Sequence, residues 1–139
     1  MKEYKRALED FDLAIKINNK LSWSFYNRAQ AKRELGDLEG ALQDYSTAIR
    51  LKPDDAGAFN ARGYVYYKLD KYNEAILDYN KAIKLDSLFE DVYINRGSAK
   101  YKLKDLQGAL DDYNKCISIN PKNADAYAGR GLVLSEMKK

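Results

Sequence analysis

The chain has 139 residues, 45% of them hydrophobic and 32% charged, which suits one folded domain and excludes a disordered polymer. Its 24 basic and 21 acidic residues alternate along the length for a net charge of +3, so no basic stripe marks a nucleic-acid binder. Histidine is absent and Cys116 is the single cysteine, which removes the commonest general base, an internal disulfide and a cysteine-based metal site.

No apolar run approaches the roughly 18 residues that a membrane helix needs. The opening Met1-Lys2-Glu3-Tyr4-Lys5-Arg6 leads into polar sequence rather than the apolar stretch of a secretory signal. The expectation is a cytoplasmic chain with no membrane partner.

In chain order, Ala7, Phe11 and Ala14 recur at helical spacing and predict a first helix over 2–17. Phe25 and Ala29 place the next over 22–35. Ala41, Tyr45, Ala48 and Ile49 lie at i, i+4, i+7 and i+8, one face of a helix over 38–51. Phe59, Gly63 and Tyr66 make a face of the helix expected over 56–69, and Ala75, Tyr79 and Ala82 one over 72–85. Helices over 90–103, 106–119 and 124–137 complete the series. Short breaks such as Gly36-Asp37 and Asp70-Lys71 separate the members of a pair. Between pairs, Lys52-Pro53-Asp54-Asp55 and Asn120-Pro121-Lys122-Asn123 stop one helix and offer Asp55 and Asn123 as caps for the next.

The same elements repeat every 34 residues. Ala7, Ala41, Ala75 and Ala109 share one column, and Phe11, Tyr45, Tyr79 and Tyr113 another. Ala14, Ala48, Ala82 and Cys116 follow, then Ile15, Ile49, Ile83 and Ile117. In the other half of the period, Phe25, Phe59, Tyr93 and Tyr127 precede Ala29, Gly63, Gly97 and Gly131. Each unit is a helical hairpin with one apolar face left uncovered, so neighbouring units must stack into a solenoid. Small residues such as Gly63 and Ala75 let the two backbones of a hairpin approach, and Phe59 and Tyr79 fill the space beside them.

This aromatic–small–Ala–aromatic–Pro order at a 34-residue period resembles the tetratricopeptide repeat, over essentially the whole chain. The resemblance implies an all-α fold, a right-handed α-solenoid of antiparallel hairpins with about eight helices. In its register, full repeats run 22–55, 56–89 and 90–123. Residues 1–21 form a half-repeat with the second helix only, and residues 124–139 one with the first helix only. Asn19 and Ser87 stand where Pro53 and Pro121 stand in their own units, so those turns are expected to be less firmly set.

Arginine stands at Arg28, Arg62, Arg96 and Arg130, where the family usually has leucine, and an acid recurs at Asp10, Asp44, Asp78 and Asp112. Opposite charges in fixed register point to a repeated inter-helix ion pair, because a partly buried guanidinium needs a nearby carboxylate. Each arginine has two candidates, one within its hairpin (Arg28 with Asp44) and one in the preceding hairpin (Arg28 with Asp10). A ladder of arginines for phosphate or carboxylate is the functional alternative.

The resemblance also implies a function: a protein-interaction scaffold, not an enzyme, that binds a peptide or partner protein in a concave groove lined by the first helix of each hairpin. Carried over by column, the groove receives Trp23, Tyr26, Asn27, Gln30 and Arg33 from the first full repeat. The second contributes Asn60, Tyr64, Tyr67 and Lys68, and the third Asp91, Ile94, Asn95, Tyr101 and Lys102. Leu132 and Glu136 extend it on the last helix. Tyrosine supplies contact area at low rotamer cost, and asparagine can bond both the donor and the acceptor of a peptide backbone. The other reading of these aromatics, Trp23 and Tyr101 among them, is packing against a neighbouring repeat.

Chaperone-binding members of the family grip a C-terminal carboxylate with Lys and Asn on one first helix, Asn on the next, and Lys and Arg on the third. The corresponding residues here are Tyr26, Gln30, Ala61, Asp91 and Asn95, or one repeat later Asn60, Tyr64, Asn95, Asp125 and Gly129. Neither set supplies the cations, and each contains an Asp that repels a carboxylate, so no clamp of that kind is expected. No cofactor, metal or nucleic acid is expected either.

The unpaired half-repeats leave apolar columns uncovered at both ends. Continuation of the array in a longer chain would cover them. So would a head-to-tail homo-oligomer, in which the last helix of one molecule packs on the first helix of another.

Overall fold

A computed structural model describes every residue from Met1 to Lys139. Eight helices follow one another: α1 (Lys2–Ile17), α2 (Ser22–Glu34), α3 (Leu38–Leu51), α4 (Ala56–Lys68), α5 (Tyr72–Leu85), α6 (Glu90–Lys102), α7 (Leu106–Ile119) and α8 (Ala124–Met137). The tightest packing joins α2 to α3, α4 to α5 and α6 to α7. These three hairpins stack through α3 on α4 and α5 on α6, with α1 against α2 and α8 against α7 at the two ends. The result is an α-solenoid of antiparallel hairpins. No helix is long and apolar enough to cross a membrane.

The first helix of each hairpin ends one residue earlier than its periodicity predicts, and for one reason. After α2, Gly36 adopts φ 85°, its N–H bonds the Arg33 carbonyl, and the Asp37 N–H reaches back to the Lys32 carbonyl at 2.9 Å. This left-handed closure satisfies carbonyls that the helix would otherwise orphan. Asp70 (φ 59°) and Lys104 (φ 65°) repeat it after α4 and α6, although neither is glycine. Asp37 and Asp105 then cap α3 and α7 by accepting from the amides of Gly40 and Gly108, each at 2.9 Å. Asp55 and Asn123 cap α4 and α8 in the same way.

The turns at Asn19 and Ser87, without proline, carry the same side-chain closure as the Pro121 turn, where Asn120 accepts from the Lys122 amide at 3.1 Å. The Asn18 side chain accepts from the Lys20 amide and the Asp86 side chain from the Leu88 amide, both at 3.0 Å. Such Asx turns close the chain much as a proline turn does.

The core consists of the small and aromatic columns. Ala41, Tyr45, Ala75, Tyr79, Ala82, Ala109 and Cys116 are fully buried. Tyr79 lies against Gly63, where an added Cβ would come within 2.7 Å of its ring. By contrast α1 buries no residue, and Ala7, Phe11 and Ala14 are half-covered, with α2 the one helix packed against them.

Candidate functional site

Three of the four arginines in the column, Arg28, Arg62 and Arg96, each bridge three helices, while Arg130 reaches only Asn114 on α7. Arg62 on α4 donates to Asp78 on α5 through Nε (2.8 Å) and Nη2 (2.7 Å), and through Nη1 to Ser46 on α3 (3.1 Å). Arg28 pairs likewise with Asp44, and its Nη1 reaches Asp12 on α1 at 2.9 Å. Arg96 pairs with Asp112, and its Nη1 reaches Asn80 at 2.8 Å. Each guanidinium also lies beside the aromatic three residues before it: Phe25, Phe59, Tyr93 or Tyr127. The hydrogen bonds to Asp44 and Asp78 hold Arg28 and Arg62 more firmly protonated than a free guanidinium. Lys32 and Lys100 add a second cation to Asp44 and Asp112.

The contact to the preceding hairpin therefore goes to the column of Asp12, Ser46, Asn80 and Asn114, not to the column of Asp10. Asp10 is exposed and meets no arginine. The reason is geometric. Its column faces the first helix of its own hairpin, whereas residues two further on turn toward the next hairpin. A polar residue sixteen positions before every arginine is the sequence signal for this contact, but its chemical type varies from unit to unit.

A cleft of about 450 Å³ opens across α2, α4, α6 and the start of α8. It brings together Tyr26, Arg33, Asn60, Tyr64, Asp91, Ile94 and Asn95, and adds Glu34, Gly57, Ala61, Phe89 and Asp125. Asn95 Nδ2 donates to Asn60 Oδ1 at 2.9 Å, joining α6 to α4 on the cleft wall. Arg33, the one cation in the lining, is bonded to Glu34 at 2.8 Å and lies over the Tyr64 ring. Asp91 and Asp125 make the opposite end acidic. Tyr26 packs edge-on against Tyr45, and burial pushes its phenol above the ordinary range.

The other residues expected on the groove are not among those that line this cleft. Tyr67 lines a smaller recess of about 120 Å³ with Tyr64, Tyr79, Asn95 and Ser98. Lys68 lies with Arg33, Leu38 and Tyr64 in a third recess. Tyr101 packs against the cluster of Tyr113 and Val133, and Gln30 donates to the Tyr26 hydroxyl at 3.4 Å. Asn27 is half-buried, while Trp23, Lys102 and Leu132 are exposed and line none of the three recesses. Glu136 instead bonds Lys104 and Lys139, which hold its carboxyl below the usual range.

A family model described as "TPR repeat" matches residues 29–70 and 63–104, and one described as "Tetratricopeptide repeat" matches residues 90–123. The chain belongs to the tetratricopeptide repeat family. No curated protein matches it. Among solved structures, tetratricopeptide repeat neighbours share its fold at low identity. MamA superposes with a TM-score of 0.93 at 20% identity, over 99% of this chain and 80% of that one. The first TPR of Spaghetti (RPAP3), bound to the HSP90 peptide SRMEEVD, gives 0.83 at 21% identity over 85% of this chain and 94% of that one. The second TPR domain of human RPAP3, in complex with the HSP70 peptide SGPTIEEVD, gives 0.78 at 27% identity over 81% and 93%. In this tetratricopeptide repeat chain the cleft is lined from α2, α4, α6 and the start of α8. No group of three or more acidic or cysteine side chains comes together to hold a metal ion.

Proposed function

We propose that this chain is a protein-interaction module that takes an extended peptide, or an extended segment of a partner protein, in the cleft across α2, α4 and α6. The observation that carries this reading is the Asn60–Asn95 pair. One bond between the two amides leaves a further acceptor and further donors on the cleft wall, the complement of a peptide backbone. Tyr26 and Tyr64 flank the pair and offer rigid contact area. Three full repeats, 22–55, 56–89 and 90–123, form the body of the module in this reading.

The peptides bound by the two RPAP3 domains both end in Glu-Glu-Val-Asp. An acidic ending of that kind is disfavoured here, because Asp91 and Asp125 occupy one end of the cleft and Arg33 is neutralised by Glu34. A peptide with a basic residue near α6 and α8 suits the cleft better. The test is a pull-down with the isolated chain, repeated with Tyr26, Asn60 and Asn95 each changed to Ala. Loss of the captured partner in these variants is expected, while undiminished capture would remove the cleft from the account.

A further inference from the structure

Beside the cleft, between α4 and α6, lies the recess of about 120 Å³ lined by Tyr64, Tyr67, Tyr79, Asn95 and Ser98. It shares Tyr64 and Asn95 with the cleft, so a side chain projecting from a backbone held at Asn95 reaches it. Tyr79 on α5 is the one fully buried residue of the lining. Its ring closes onto α4 at Gly63, yet its hydroxyl has no hydrogen-bond partner within the chain. The other tyrosines of its column differ. The Tyr113 hydroxyl bonds that of Ser98 at 3.1 Å. The Tyr45 hydroxyl also lacks a partner, but Tyr45 lines none of the three recesses. Tyr79 alone combines an unpaired buried hydroxyl with an opening beside it. Leaving such a group unpaired destabilises the fold, and a ligand group that bonds it recovers the loss.

The walls of the recess are held from outside. The Tyr64 ring lies against Arg33 and Lys68, and Tyr67 packs edge-on to Tyr72 with ring centroids 5.4 Å apart. Asn95 is bonded to Asn60, and Ser98 to Tyr113. Walls fixed in advance lower the ordering cost of a bound group. Their chemistry selects that group. None of the five lining residues is charged, so an ion entering the recess would lose its water and gain no counter-charge. Phenol and amide groups instead present donors and acceptors together. Burial, with Tyr67 and then Tyr64 beside it, raises the Tyr79 phenol, which therefore stays a neutral donor. A water takes about 30 Å³ of the liquid, so the recess has room for a compact side chain.

We propose that this recess is a specificity subsite for a neutral carboxamide, the side chain of an asparagine or glutamine in the bound peptide. The carboxamide oxygen accepts from the Tyr79 hydroxyl, and its amino group donates to the Tyr67 oxygen. The subsite rests on the reading of the cleft as a peptide site and names one residue that the peptide carries. A carboxylate of the same shape brings a charge that the lining does not neutralise, and a leucine leaves the Tyr79 hydroxyl unpaired. Both are therefore discriminated against.

Selection from a random peptide library on the unaltered chain, followed by titration of the selected peptides, tests the subsite. Circular dichroism of each variant checks its folding. The unaltered chain is expected to enrich Asn or Gln at one position. Changing that residue to Leu, or to the matching Asp or Glu, should weaken binding by about tenfold or more. In Tyr79→Phe the exchange to Leu should change affinity by less than about twofold, because the hydroxyl that read the carboxamide is gone. Tyr67→Phe, at a half-buried position, should narrow the preference as a second variant. Tyr45→Phe removes an equivalent hydroxyl outside the recess and should leave the preference whole. Peptides that need Asn60 but show no carboxamide preference, or a preference that Tyr79→Phe leaves intact, overturn the subsite and leave the cleft reading standing. Peptides indifferent to Asn60, Asn95 and Tyr79→Phe alike, or no bound peptide at all, overturn both.

Discussion

Arg62 and Asp78 meet through two parallel hydrogen bonds, 2.8 Å and 2.7 Å long, across the α4–α5 hairpin. The carboxylate is buried and the guanidinium is about four-fifths covered, so neither can be re-solvated when its partner is removed. Asp78→Ala is expected to cost about 3–5 kcal/mol in urea denaturation. Changing both Arg62 and Asp78 to Leu should recover much of that, with a coupling of at least about 1 kcal/mol. Strictly additive single and double variants would show that the pair contributes nothing as a pair.

Glycines of one column should respond in opposite directions. Gly63→Ala drives a Cβ into the Tyr79 ring, and such overpacking costs about 1–3 kcal/mol. Gly131→Ala meets no neighbour and gains helix propensity of up to about 1 kcal/mol. Thermal melts of the two variants at low protein concentration compare them directly.

Tyr45 is fully buried, and its hydroxyl has no hydrogen-bond partner. The ring therefore supplies the stability and the hydroxyl detracts from it. Tyr45→Ala is expected to cost about 3–5 kcal/mol. Tyr45→Phe should be neutral or stabilising by about 1 kcal/mol, since it removes an unsatisfied polar group. A large loss in the phenylalanine variant would mean that the hydroxyl has a partner.

Stability should fall at alkaline pH. Burial, aided by Glu90 and Asp91, pushes the Cys116 thiol from 9.0 up to about 11. Burial pushes the Tyr45 phenol from 10.0 to about 12, against the pull of Arg33. Tyr79 and Tyr113 move in the same direction for the same first reason. The unfolded chain loses these protons first, so raising the pH favours unfolding. The stability they contribute is complete below about pH 9 and drains away as pH rises toward about 12. Urea midpoints measured across that window check the slope, which Tyr45→Phe should flatten.

Much of the architecture is legible in the sequence, because Ala41, Tyr45 and Ala48 and their counterparts state both the helical spacing and the 34-residue period. The helix ends are less legible. Gly36 announces a left-handed closure, but Asp70 and Lys104 adopt the same conformation without the residue type that signals it. The arginine–aspartate register can be read from recurring opposite charges, whereas the third contact passes through Asp12, Ser46, Asn80 and Asn114 and is hidden by its variety. Groove residues are the hardest to read. Tyr64 and Tyr101 both stand on first helices, yet Tyr64 lines the cleft and Tyr101 packs on the Tyr113 cluster. An aromatic at helical spacing looks the same in sequence whichever neighbour it faces.

The central claim is that the Asn60–Asn95 wall of the cleft, and not a carboxylate grip, receives the partner. Peptides selected on this chain from a random library, titrated with free and with amidated C-termini, test it most directly. Equal affinity for the two forms is expected, with a loss of about tenfold or more in Asn95→Ala, which leaves the half-buried Asn60 amide unpaired. Binding that requires the free carboxylate and is indifferent to Asn60 and Asn95 would contradict it.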